Sequence, residues 1–300
     1  GEALWLIADA PARFDLHSGE ITLSGTADFA ADYVPVSLFS VDGSTERRRV
    51  LLNGTLQRLD ALGQIQTSLQ LAENPVSAAA IAPDGSRVAL SNRELGVSLW
   101  DGSGEWLKKL DDWTVNSLSF SDTGLLAGSL ASGRVFVWQV ESGELRYSFE
   151  NEGALQQVLL SADGGRLLAR TTGTITLWSL PDQKLLATWQ GCAMQMSPDG
   201  KLLAVVHSSL TEHSIDVFAS DSLKQVTHIE NTRGFNLAFS ADGGLLASAS
   251  DVVSLWSLPE GTLIRQFSSA GLIGRPLFIK DDHLLALTAW DGSVRFWGIP

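Results

Sequence analysis

A phrase made of an apolar-x-apolar-Trp run, a short polar turn and a second apolar run recurs throughout the chain. It reads VSLWDGSGEWLKKL at 97–110, VFVWQVESGELRYSF at 135–149 and ITLWSLPDQKLLATW at 175–189. It returns as IDVFASDSLKQVTHI at 215–229 and VSLWSLPEGTLIRQF at 253–267, and closes as VRFWGIP at 294–300. The anchoring aromatics are Trp100, Trp138, Trp178, Phe218, Trp256 and Trp297, spaced by 38, 40, 40, 38 and 41 residues. A unit this short cannot bury its own apolar face, so a fixed period of this length demands that successive units pack on one another.

A second mark keeps the same beat. Turns of the form small-x-Asp-Gly stand at 40–43 (SVDG), 82–85 (APDG), 121–124 (SDTG), 161–164 (SADG), 197–200 (SPDG) and 240–243 (SADG). A degenerate KDDH occupies 280–283, where a seventh is due. Gly accepts positive φ and Asp bonds its own turn, so each group reads as a tight hairpin. The apolar runs that follow are strand-length and too short for most helices. Each unit is therefore strand a, Asp-Gly turn, strand b, loop, strand c with its aromatic, turn, strand d. Four antiparallel strands of this kind form one blade of a β-propeller.

Strand a can be placed seven times, at 34–39, 76–81, 115–120, 156–160, 193–196, 235–239 and 277–279. Strand d also occurs seven times, beginning with GEITLSG near 20–24, whereas the last unit ends at Pro300 with no strand d of its own. The expectation is an all-β, seven-bladed propeller whose ring closes by pairing the two chain ends. Residues 4–16 (LWLIAD, ARFDL) are expected to add outer strands to the closing blade; the alternative is an incomplete eighth blade. No linker or charge run separates the units, so residues 1–300 read as one domain.

Charge argues against direct nucleic-acid binding. Lys plus Arg is 21 against 34 Asp plus Glu, a net −13, which repels phosphate backbones. The one basic cluster, Arg47-Arg48-Arg49, follows an Asp-Gly turn and reads as a solvated hairpin. The expected partners are proteins, which can present basic surfaces. No apolar stretch is long enough to span a bilayer. The single Cys192 excludes an intrachain disulfide framework and reads as a buried small residue. Gly1 in place of Met marks a processed chain or part of a larger polypeptide, and the compartment, cytoplasmic or periplasmic, stays open.

The φ-x-φ-Trp ends of strand c, the Ser/Thr-Gly-Glu-type turns after them and the Ser-Pro-Asp-Gly turns resemble the WD-repeat β-propeller family over nearly the whole chain. Regular WD repeats carry a Gly-His pair before strand a; here those positions read Asp112-Trp113, Glu152-Gly153 and Thr232-Arg233. The b–c turn Asp stands only at Asp251 and Asp291, and Trp-Asp occurs once in register, at Trp100-Asp101. The pattern resembles divergent propellers common in bacteria, with blades held by hydrophobic contacts more than by the family's polar network. The resemblance implies a non-catalytic scaffold or adaptor that binds proteins. The alternatives are a propeller enzyme (lactonase-like hydrolase or quinoprotein-like dehydrogenase) and an envelope assembly factor, the latter two suggested by the phrases RFDLHSGE and RLDALGQIQ.

The repeated indoles are expected to fill the wedges between blades. Partner contacts are expected on the face shared by the d–a and b–c connections. The candidates there are Trp113, Glu212, His213, Arg233, Arg275 and Trp290; packing or a solvated ion pair is the competing reading of each. No phosphate-binding glycine loop, HExxH or GxSxG occurs, so no catalytic, cofactor or metal site is assigned. The five histidines show no i, i+2 or i, i+4 pairing, and the Asp of each Asp-Gly turn is read as a turn former.

Overall fold

The computed structural model describes residues 2–7, 10–15, 20–23, 35–40, 47–60, 65–209, 213–230, 232, 234–250, 252–268, 276–279, 284–288 and 294–299. These residues form thirty β-strands and no helix. Three strands open the chain: β1 (Glu2–Ile7), β2 (Ala10–Asp15) and β3 (Glu20–Leu23). Blade 1 follows as β4 (Pro35–Ser40), β5 (Arg47–Leu51), β6 (Thr55–Leu59) and β7 (Ile65–Gln70). Blade 2 is β8 (Ala78–Ile81), β9 (Arg87–Asn92), β10 (Gly96–Asp101) and β11 (Trp106–Asp111). Blade 3 is β12 (Ser117–Phe120), β13 (Leu125–Ser129), β14 (Arg134–Gln139) and β15 (Leu145–Glu150).

Blade 4 comprises β16 (Gln157–Leu160), β17 (Arg166–Arg170), β18 (Thr174–Ser179) and β19 (Lys184–Gln190). Blade 5 comprises β20 (Ala193–Met196), β21 (Leu202–Ser208), β22 (His213–Ala219) and β23 (Gln225–Glu230). Blade 6 comprises β24 (Asn236–Phe239), β25 (Leu245–Ala249), β26 (Val252–Ser257) and β27 (Thr262–Ser268). The last three strands are β28 (Leu277–Ile279), β29 (Leu284–Thr288) and β30 (Val294–Gly298).

Every blade is an antiparallel meander, and the seventh is assembled from both ends of the chain. Its sheet runs β1-β2-β3-β30-β29-β28, with Glu20 opposite Trp297 and Ile21 opposite Phe296. β3 is thus strand d of blade 7, and β2 and β1 lie outside it. This is the seven-bladed arrangement with added outer strands that the spacing predicts, and the described residues form no eighth blade.

The core lies between blades. One cluster joins Ala80, Ala89, Val97 and Leu99 of blade 2 to Leu118, Leu126, Phe136 and Trp138 of blade 3. Equivalent clusters fill the next gaps around the ring. Trp138, Trp256, Trp297 and Phe218 are buried in these wedges, and Trp100 and Trp178 are partly buried, as expected of a packing role. In blades 1 to 6 the c–d ladder slips immediately before the aromatic or its equivalent: Arg58/Leu59, Leu99/Trp100, Val137/Trp138, Leu177/Trp178, Val217/Phe218 and Leu255/Trp256. A bulge sharpens local twist, and here its recurrence turns each strand d across the end of its own strand c.

The Asp-Gly groups are hairpin formers. Ser161 Oγ donates to Asp163 Oδ1 at 2.5 Å, Gly165 N donates to the same oxygen at 2.9 Å, and Arg166 N donates to Ser161 Oγ at 2.9 Å. The pattern repeats at Ser197/Asp199 and Ser240/Asp242. Gly85, Gly124, Gly164, Gly200 and Gly243 all have φ between 69° and 78°, the left-handed region that Gly enters without steric cost.

The basic triplet departs from expectation. Arg48 and Arg49 are buried, not solvated. Arg48 Nη1 donates to the carbonyls of Gly85 and, at 3.0 Å, Gly102; Arg58 Nη2 also reaches Gly102 O, at 2.5 Å. Both guanidiniums therefore grip the turns of blade 2 from blade 1. Arg49 faces Gln57, its Nε 2.8 Å from Oε1, and burial pulls its pKa down to about 10. Composition alone could not place a cation that is consumed by carbonyls two hairpins away.

Candidate partner-binding face

The meander puts the d–a and b–c connections at one end of every blade and the a–b and c–d turns at the other. Among the described residues, exposed large apolar side chains fall in only two places. Ten lie on the outer d strands, and Leu52, Trp113, Phe235 and Val252 lie on or beside d–a and b–c connections. None lies in an a–b or c–d turn. Ile65, Trp106 and Leu145 are exposed at the opposite end, where they open their d strands directly after c–d turns, so exposure alone does not separate the two faces. What marks the d–a and b–c face is that Leu52, Trp113 and Phe235 stand in the connections themselves.

Trp113 is the most developed of these positions. It sits between β11 and β12 with 49% of its surface exposed. Asp111 Oδ1 accepts the amides of Asp112 (2.8 Å) and, at 3.4 Å, Trp113, and Thr114 Oγ1 donates to Asn92 O at 3.2 Å. Those bonds hold the loop while the indole stacks on Phe136, centroids 6.3 Å apart and planes at 19°. Phe136 is only 4% exposed and stacks in turn on Trp138 at 5.6 Å. An aromatic stack thus runs from solvent into the wedge between blades 2 and 3. Arg134 lies over the Phe136 ring at 5.8 Å and pairs with Glu150 at 3.8 Å. Glu94, Asp111, Asp112, Glu150 and Glu152 stand in the same connections or at the strand ends beside them, interspersed with Arg93, Lys109 and Arg134; Asp112 pairs with Lys109 and Glu150 with Arg134.

His213 opens β22, its Nδ1 2.9 Å from Ser208 Oγ and its ring edge-on to Phe235 at 6.1 Å. Phe235 is 44% exposed. The sequence reading starts a strand a at Phe235; the strand begins one residue later, at Asn236, which leaves Phe235 in the d–a connection. Trp113 and His213 lie three blades apart around the ring and do not form one site. Glu212, Arg233, Arg275 and Trp290 lie outside the described residues, as do the b–c turn positions Asp251 and Asp291.

Beside the apolar clusters between the blades, some polar staples are present. Trp256 Nε1 donates to Ser248 Oγ at 3.1 Å, and Ser248 Oγ lies 3.4 Å from Thr232 Oγ1 in the preceding d–a connection. Trp178 Nε1 reaches both Asn151 Oδ1 (3.2 Å) and Thr176 Oγ1 (3.1 Å), with Thr176 Oγ1 donating to Asn151 at 2.6 Å. Trp100 Nε1 meets Ser98 Oγ at 3.2 Å. In blade 3 the two hydroxyl positions are Gly128 and Phe136, which pair in the ladder, and the buried Trp138 Nε1 has no partner. Short hydroxyls and an amide do part of the work that Gly-His and Asp perform in regular repeats.

Blade 5 carries a different group at this position. Its anchor is Phe218, which has no N–H, and Asp216 stands two residues before it. Asp216 Oδ1 takes His228 Nδ1 at 2.5 Å and Gln225 Nε2 at 3.0 Å. His207 Nε2 lies 2.9 Å from Oδ2, an ion-pair distance outside hydrogen-bond geometry. Two histidines with no helical spacing are gathered by the sheet onto one carboxylate. No three His, Cys, Asp or Glu side chains among the described residues converge as metal ligands. Cys192 is half-buried, and burial raises its thiol pKa despite nearby Arg170, the opposite of an activated nucleophile.

No family model matches the chain. Among curated proteins, a probable U3 small nucleolar RNA-associated protein 18 of Schizosaccharomyces pombe is 26% identical over 235 residues, covering 70% of this chain and 45% of that protein. Human WD repeat-containing protein 36 is 30% identical over 173 residues, covering 53% and 19%. The small ribosomal subunit protein RACK1y of Oryza sativa subsp. japonica is 31% identical over 157 residues, covering 49% and 45%. The chain spans less than half the length of each. The ring of seven blades defines a β-propeller. Together with these similarities it supports a propeller of WD-repeat type.

Proposed function

We propose that this propeller is a non-catalytic scaffold or adaptor that binds protein through its d–a and b–c face. The observation that carries the reading is Trp113, half-exposed within a d–a connection and set on the buried Phe136–Trp138 stack. A rigid indole backed by buried rings binds with little ordering cost. The net charge of −13 favours a partner segment with basic residues. None of the relatives' names describes an enzymatic activity, which supports the same reading.

Two of those names speak of a small nucleolar RNA and a ribosomal subunit. In a ribonucleoprotein setting of that kind, this chain would join through protein contacts. Its net charge is −13, and Arg48 and Arg58 are spent on blade 2 carbonyls. The bacterial-type reading rests on the reduced Gly-His and Asp pattern alone, since the relatives above are eukaryotic.

A photo-crosslinking side chain at position 113, with the same group at Ser222 on the opposite face as control, tests the proposal. Protein adducts are expected from 113 and not from 222. Adducts from 222 alone, or RNA adducts in place of protein at 113, would overturn it.

A further inference from the structure

Arg170 is a partly buried cation that no carboxylate among the described residues neutralises. It ends β17, opposite Gln157 of β16, at the d–a and b–c face of blade 4. Strands a surround the axis of the ring: Ser117 Oγ of β12 accepts the amide of Val158 of β16 at 3.1 Å, and Ser119 Oγ accepts that of Leu160 at 3.0 Å. A residue paired with the start of β16 therefore stands at the mouth of the central channel.

Three neutral acceptors hold the guanidinium. Nη1 donates to Gln156 Oε1 at 2.7 Å and to Cys192 O at 3.0 Å, and Nε donates to Gln157 Oε1 at 3.4 Å. Nη2 has no partner among the described residues. Other cations are engaged: Lys109, Arg134 and Lys201 meet carboxylates, and Arg48 and Arg58 meet carbonyls. Burial pulls the pKa of Arg170 below the usual arginine value, the mark of a cation that has lost water without gaining an anion.

The groups beside it are donors as well. Gln156 spends its oxygen on Arg170, which leaves Nε2 to meet Thr172 Oγ1 at 3.5 Å. Gln156 and Thr172 are exposed, and a Cβ built on Gly173 would meet nothing within 4 Å, so the space above them is open. Glu152 is the one carboxylate in the connections 151–156, 171–173 and 191–192, and it forms no ion pair with Arg170.

We propose that Arg170, with Gln156 and Thr172, receives one carboxylate side chain, an Asp or Glu, of the protein partner at the channel mouth. The assignment rests on the partner-binding reading above and adds what is read at contact. The net charge of −13 steers a basic segment from a distance, whereas a desolvated guanidinium selects one acid within it. A lone Arg among neutral donors suits a monoanion, while phosphate groups are met by clusters of arginines. The site is continuous with Trp113: Asn116, three residues on, donates from Nδ2 to Leu155 O at 2.5 Å, next to Gln156. One partner segment can thus cover the indole and set its acid on Arg170.

Titration of the whole isotope-labelled chain with N-acetylglutamate N-methylamide tests this, read by NMR at the Gln156 side-chain amide and the Thr172 backbone amide. Saturable shifts are expected, with none from N-acetylglutamine N-methylamide at the same ionic strength. Affinity should fall about tenfold or more in Arg170→Gln, with an unchanged Trp113 indole signal reporting an intact fold. Thr172→Val, at an exposed position, should weaken binding as well. No saturation, an equal response to the glutamine compound, wild-type affinity in both variants, or tighter binding of N-acetylphosphoserine N-methylamide overturns the proposal. The photo-crosslinker at 113 separates this site from the wider reading. Loss of protein adducts when Arg170→Gln is added supports the carboxylate; undiminished adducts overturn it and leave the scaffold reading standing.

Discussion

The contact between Gly128 and Trp138 predicts a strongly non-additive pair of substitutions. A Cβ built on Gly128 would lie 2.9 Å from Trp138 Cζ3, 3.1 Å from Cη2 and 3.2 Å from Val115 Cγ1. Carbon atoms rest at about 3.5 Å or more, so Gly128→Ala forces the indole to move by about half an ångström. Trp138 is 1% exposed and stacked against Phe136, with no slack to yield. Overpacking of this kind costs about 1–3 kcal/mol.

Trp138→Phe removes the two ring atoms that make the clash. The gap it leaves costs about 1 kcal/mol, while deleting the unpartnered buried N–H returns about 1–3 kcal/mol of desolvation. Its net effect should therefore be small. Once Trp138→Phe is in place, the methyl that Gly128→Ala adds enters vacated space, and replacing Gly within a strand gains about 0.5–1 kcal/mol. Gly128→Ala should then be neutral or stabilising. A double-mutant cycle by urea unfolding, followed by far-ultraviolet circular dichroism, should give a coupling energy of about 2 kcal/mol or more. Additivity within about 0.5 kcal/mol would refute the steric account of this glycine.

Trp178→Phe should cost about 1 kcal/mol more than Trp138→Phe, because its N–H is bonded to Asn151 and Thr176 where that of Trp138 is not; thermal melts of the two variants compare them directly. Arg48→Lys should lose about 1–3 kcal/mol, since Nη1 alone meets the carbonyls of both Gly85 and Gly102 and a lysine ammonium ends one bond short of it, and hydrogen exchange should rise at the blade 1–blade 2 junction. The hydroxyl of Ser161 and the amide of Gly165 hold the Asp163 carboxyl below its usual pKa; the Gly244 amide and the Ser240 hydroxyl do the same for Asp242. A depressed carboxylate pKa adds stability above the unfolded value, near 4, and that stability disappears as pH falls through the folded value. Asp163→Asn with Asp242→Asn should therefore flatten the acid limb of stability against pH while leaving its shape above pH 6 unchanged.

The period of the Trp phrase and the phase of the Asp-Gly turns made the blades legible, because both report backbone geometry that repeats. The closing strand was legible for the same reason: GEITLSG is a strand d with no blade before it. Features that depend on side chains meeting across blades were not. The burial of Arg48 depends on carbonyls in the hairpins of blade 2, and the gathering of His207 and His228 around Asp216 depends on sheet register. The bonds of Trp178 and Trp256 draw on Asn151, 27 residues away in the preceding connection, and on the hydroxyls of Thr176 and Ser248, which are near in sequence but are met only through the sheet register. Of the six candidate contact residues, Trp113 carries its own signal, an aromatic flanked by acids in a d–a loop. The exposure of Phe235 turns on a single-residue difference in where β24 begins.

Closing blade 7 with β3 against β30 sets Glu20 beside Trp297, 277 positions apart in sequence. During synthesis, every other blade can pair its own strands as they emerge, but this seam waits for the final repeat. The ring thus behaves as a clasp that snaps last, and its opening would unseal the whole circle without unzipping any of blades 1 to 6. Strands β1 and β30 also lie in one sheet, so groups fused to either end of this chain would be delivered to the same blade.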